Sequence, residues 1–129
     1  QAGIGTRYLK DMHEVLELPD GWVCRGDEFI VDDVLYTHGI NCGGKNGALN
    51  KALSERMSVV IGHAHAFGGC TYSANKRDTV FGLNVGCGID ENAYAFVYGK
   101  HSKNRVTRGC GVVFDSENAT FVPMGREYL

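Results

Sequence analysis

Five histidines punctuate this chain, and three of them stand where chemistry can be done. Gly62-His63-Ala64-His65 follows the apolar run at residues 57–61, and His38-Gly39 follows the apolar run at residues 34–37. Imidazole nitrogen is a favoured ligand for zinc, iron and related divalent ions. The small residues Gly62 and Ala64 leave His63 and His65 free to turn toward a shared cation. If the two runs are neighbouring strands, His38, His63 and His65 converge at one sheet edge. Three nitrogens are a reasonable ligand count for one metal with open positions. An isolated H-x-H pair carries little by itself; here the strand-then-histidine context occurs twice. His13, inside a helical pattern, and His101, in a polar turn, read as ordinary solvated side chains.

The elements that would position these residues are readable from periodicity. Residues 7–18 form one apolar face at helical spacing, with Thr6 as N-cap and Pro19-Asp20-Gly21 as stop. Strands are expected at 22–24, 28–31 and 34–37, the last two joined as a hairpin at Asp32-Asp33. A glycine-rich loop, 40–44, leads into a helix over 45–56 with Ala48, Leu49, Ala52 and Leu53 on its apolar face. Residues 57–61 then read as a short buried strand. Strand, helix and strand in this order imply a βαβ unit with a parallel pair. Loops at the carboxyl ends of such strands are where α/β folds place their sites. From Ala66 onward the pattern is β only, with strands expected at 67–74, 79–85, 93–98, 109–114 and 119–123, paired as antiparallel hairpins. Residues 125–129 read as a loose tail.

Bulk composition narrows the function classes. The chain has 129 residues, 43% hydrophobic and 22% charged, which suits one domain with one modest core. A formal net charge of -2 gives no nucleic-acid signal. The apolar runs are far too short to span a bilayer, and no charged-then-apolar leader opens the chain. The five cysteines lack any C-x-x-C pair and read as reduced, partly buried thiols of a cytoplasmic protein. Gln1 in place of Met reads as processing, tag removal or excision from something longer.

At these residues the chain resembles a family. Val34-Leu35-Tyr36-Thr37-His38-Gly39, the helix beyond it, and Ser58-Val59-Val60-Ile61-Gly62-His63-Ala64-His65 resemble the last two motifs of the calcineurin-like metallophosphoesterases. The continuation Phe81-Gly82-Leu83-Asn84-Val85-Gly86-Cys87-Gly88-Ile89-Asp90 is similar to the strand and turn that follow in bacterial and phage-type members. The resemblance extends from about Gly3 to Met124. It implies the C-terminal half of a four-layer α/β/β/α sandwich, so that residues 1–129 form a single partial domain. It implies that His38 and His63 ligate one ion of a two-metal centre and His65 the other. Manganese, iron, zinc or nickel are the implied ions, and metal-assisted hydrolysis of phosphoesters the implied reaction.

The family's earlier motifs are not matched. Asp11-Met12-His13 fits Asp-x-His as text but lies inside an amphipathic helix rather than at the end of a buried strand. Gly26-Asp27 begins Gly-Asp-x-x-Asp, but Ile30 stands where the second aspartate belongs, and Gly-Asn-His is absent. Without a bridging carboxylate, three histidines should hold at most one ion well, because two close cations repel. A sheet lacking its covering N-terminal elements should also expose apolar surface and self-associate. The expectation is therefore a phosphoesterase fragment, inactive alone. The alternative is a non-catalytic metal-binding or interaction module using the same histidines.

Two weaker candidates remain. Lys45 and Asn46, at a helix start near the resembled site, are candidate contacts to a substrate phosphate. Cys42, four residues after His38, is a candidate extra ligand set against the plainer reading of a semi-buried thiol.

Overall fold

The computed structural model describes residues 10, 12–24, 26, 28–89 and 105–125. The expected strand at 93–98, His101, Asp11 and most of the tail lie outside the described residues.

β1 (Glu28–Val31) and β2 (Val34–Thr37) pair antiparallel, Val31 opposite Val34 and Glu28 opposite Thr37. The two residues between them, Asp32 and Asp33, have φ of 49° and 60°. Positive φ at both central positions is what a two-residue hairpin matched to strand twist requires. α2 (Gly47–Glu55) follows the glycine-rich loop and buries Gly47, Ala48 and Ala52. Leu53, expected on the apolar face, is exposed instead. β3 (Ser58–Ile61) is buried throughout and pairs parallel with β2, Thr37 beside Ile61. The βαβ unit is thus β2–α2–β3.

β4 (Gly68–Ala74) and β5 (Thr79–Val85) form the next hairpin. Their antiparallel pairing is the one expected from the change of pattern at Ala66. β5 also pairs parallel with β3, Ile61 beside Asn84, giving one five-stranded mixed sheet in the order β1-β2-β3-β5-β4. Five of the seven residues of β5 are buried, as befits a strand covered on both faces. β6 (Gly109–Val113) and β7 (Ala119–Pro123) form a two-stranded antiparallel sheet.

Two further expectations are corrected. The first helix, expected over 7–18, ends earlier: its described part, α1, is Met12–Val15, with no buried residue, and residues 7–9 and 11 lie outside the described residues. Residues 22–24 are irregular, and Trp22 and Val23 are exposed.

Alternation sorts the core to the two faces of the large sheet. Leu35, Val59, Ile61 and Val80 meet Ala48 and Ala52 of α2 on one face. Val34, Val60, Phe81 and Leu83 meet Ala119 on the other, with Val113 and Phe121 packed against them. The layers are therefore helix, mixed sheet and two-stranded sheet. Phe81, Ile61, Leu83, Val34 and Val59 are the largest fully buried side chains, each worth about 1.5–3 kcal/mol of burial. α2 sits very close to β5: a Cβ on Gly82 would lie 2.2 Å from the Leu49 nitrogen. One register position along the same hairpin, Tyr72 Oη donates to the Ala119 carbonyl at 3.0 Å and accepts from its amide at 2.9 Å. Among the described residues no helix is long and apolar enough to cross a membrane.

Candidate metal centre

Because β2 and β3 run parallel with Thr37 beside Ile61, the residues that follow them emerge at the same edge. His38 Nε2 and His63 Nδ1 face each other there at 3.0 Å. The ring centroids are 5.0 Å apart and the rings stand edge to face at 80°. As neutral imidazoles, one ring donates and the other accepts, the tautomers deciding which. Both side chains are exposed, so an ion could reach them from solvent.

Gly39 makes the exit from β2 possible. Its φ is 87°, and a Cβ there would lie 2.9 Å from the Ile61 Cβ. Any larger residue would push the His38 backbone off β3. Gly62 is different: a Cβ there would meet only Val85 Cγ2, at 3.8 Å, so crowding is not what makes it glycine.

His65 lies on the same loop but is not drawn into the contact between His38 and His63. Its amide closes a tight turn onto the His63 carbonyl at 3.1 Å, and its own carbonyl accepts from Thr107 N–H at 2.8 Å. Among the described residues no group of three or more His, Cys, Asp or Glu side chains is arranged to hold a metal. The His38 and His63 nitrogens, 3.0 Å apart, are at hydrogen-bond distance; the same spacing would admit two bonds of about 2.0–2.1 Å to one ion only with both atoms unprotonated and both lone pairs turned toward it.

The other sequence candidates are placed as follows. Lys45 and Asn46 are exposed at the start of α2, where Asn46 makes no side-chain cap. The Lys45 carbonyl is held from beneath by Asn84 Nδ2 at 3.0 Å. Asn84 is buried, and its Oδ1 has no partner among the described residues. Cys42 packs against the α2-side core, and its Sγ reaches the Ile40 carbonyl at 3.7 Å. That is the semi-buried thiol rather than a ligand beside His38.

A cavity of about 450 Å³ adjoins His38, lined by Glu28, Thr37, Gly39, Ile40 and Lys51. Lys51 Nζ bridges Glu28 at 3.0 Å and Glu55 at 3.1 Å. The hydrogen bond to Glu28, then that to Glu55, holds the Lys51 pKa above its ordinary value. Sequence reading missed both Glu28 and Lys51 as neighbours of His38. The i,i+4 spacing of Lys51 and Glu55 was a visible signal; the contact with Glu28 depends on how α2 lies against the sheet and left none.

Comparison with protein-family models, with curated proteins and with solved structures returns no match.

Proposed function

We propose that this chain carries the histidine portion of a phosphoesterase metal centre of the calcineurin-like type. The observation that carries the reading is the meeting of His38 Nε2 and His63 Nδ1 at 3.0 Å, at the carboxyl ends of adjacent parallel strands. His65, two residues on, is proposed as the ligand to the second ion of a complete two-metal centre, which this chain alone does not form. The layering of helix, mixed sheet and second sheet is compatible with half of an α/β/β/α sandwich. A divalent ion (manganese, iron, zinc or nickel) would supply Lewis-acid polarisation of a phosphoryl oxygen and activation of water for attack on phosphorus. The chain's own part is to present imidazole nitrogens at a fixed spacing. Gly39 and the β2–β3 register set that spacing. Lys45 and Asn46 are proposed to face the phosphate of the substrate. The five unpaired cysteines support a reducing, cytoplasmic setting.

No bridging aspartate motif and no Gly-Asn-His is present in the sequence, so we propose that the chain alone binds one ion at most and does not turn over. The test is elemental analysis after loading with manganese or zinc, comparing the wild type with His63→Ala. The expected result is up to one ion per chain, lost in the variant. Two ions per chain would overturn the incomplete site, and no uptake at all would overturn the metal centre. The missing motifs also favour a second reading, a non-catalytic metal-binding module built on the same histidines. An upstream coding segment with Asp-x-His and Gly-Asn-His would argue against it.

A further inference from the structure

Between β3 and β4 the loop that carries His63 and His65 makes two tight turns among the described residues, His65 N–H to the His63 carbonyl at 3.1 Å and Phe67 N–H to the Ala64 carbonyl at 2.9 Å. A further anchor comes from far along the chain. Thr107 N–H donates to the His65 carbonyl at 2.8 Å. Thr107 Oγ1 donates to the Ala66 carbonyl at 2.9 Å, across a sequence separation of 41 residues. One residue therefore grips two successive carbonyls of the histidine loop. Thr107 is itself held, since its carbonyl accepts from Cys87 N–H at 3.0 Å, just beyond the end of β5. The Thr107 and Ala66 groups are half-buried, so water does not replace a lost bond freely.

We propose that Thr107 is a positioning residue for the histidine edge. It orders the loop at 62–67 and so fixes the aim of His63 toward His38 and the place of His65. Its functional meaning rests on the metal reading above. Partners that hold metal ligands in place set affinity, because a loop ordered in advance spends none of the binding free energy on its own ordering.

The test uses the full chain with Thr107→Val, which removes the hydroxyl but keeps the branched shape, and Thr107→Ser, which restores the hydroxyl. Thr107→Ala removes the same group with less bulk and gives the same reading if the valine variant fails to fold. Tyr72→Phe, which removes the Tyr72 Oη hydrogen bonds to Ala119, controls for general loosening. Mn²⁺ affinity is measured by calorimetry, and exchange of the Phe67 and Thr107 amides by NMR. The valine variant is expected to bind Mn²⁺ about 10-fold or more weakly and to exchange both amides faster. The serine variant and Tyr72→Phe should resemble the wild type in both. If the wild type binds Mn²⁺ and the valine variant binds it equally well, the proposal is overturned. It is also overturned if Tyr72→Phe or the serine variant loses as much. If the wild type binds no Mn²⁺, the metal reading fails and exchange alone decides. Faster exchange in the valine variant but not the serine one upholds the ordering role, and unchanged exchange overturns it.

Discussion

The side chains of this molecule divide by what surrounds them. His38 and His63 meet in the open, where solvent and ions have access. Cys70 lies half-buried against the core. Burial pushes the Cys70 thiol pKa up, with the Tyr72 contact pulling back. Only the thiolate attacks, so Cys70 should react more slowly with iodoacetamide at neutral pH than the exposed Cys24 and Cys110. Peptide mass spectrometry over a time course would show Cys24 and Cys110 modified first; equal rates would mean that Cys70 is not packed as described. Because the folded pKa is raised, the folded state favours the thiol. The resulting stability is complete below the unfolded thiol's pKa and is lost as pH rises through the folded value. At this scale the sequence was informative about His38 and His63, whose type and flanking glycines announce themselves. It was silent about Thr107, because a threonine that donates to two carbonyls has no spacing signature. The bond from Asn84 Nδ2 to the Lys45 carbonyl likewise has no spacing signature.

Elements with strong local patterns were readable almost to the residue. β1, β2, β5 and β7 have the expected bounds, and α2 is shorter than its expected span of 45–56 by two residues at its start and one at its end. What periodicity could not reveal was partnership. Nothing in the residues of β5 says that it bonds to β3 on one side and β4 on the other, because pairing is settled by packing across the sheet. Its near-continuous burial is the trace of that double partnership. The contact between α2 and β5 depends on Gly82 in the same way. Gly82→Ala would set a methyl group 2.2 Å from the Leu49 nitrogen and 2.4 Å from the Ala48 carbonyl carbon. Backbone cannot rotate aside as a side chain can, so α2 must shift. A loss of about 1–3 kcal/mol is expected from such overpacking, read as a lower urea midpoint with an unchanged slope. A variant as stable as the wild type would show that α2 does not rest on β5.

At the scale of the molecule, the two cores are well covered over β3 and β5. Among the described residues Trp22, Val23, Ile30, Ile40 and Phe114 are each more than 60% exposed. Large apolar side chains left in water favour association. The chain is therefore expected to run above its 14.1 kDa mass in sedimentation or light scattering, with the excess falling at lower concentration. A monodisperse monomer that also hydrolysed a phosphodiester would overturn both the association and the incomplete site.

The Thr107 clamp also orders events in time. A protein is made from its N-terminus at about 5–20 residues per second, and contacts between distant residues form later than local ones. β2, α2 and β3 can close, and His38 can meet His63, while Thr107 has yet to be joined to the chain. β3 must then wait for β5 before its second edge is paired, and the histidine loop waits longer still. A chain halted in synthesis before Thr107 would hold His38 and His63 at the ends of β2 and β3 with the loop at 62–67 unfastened, so the ribosome delivers the two histidines first and the loop's anchor afterwards.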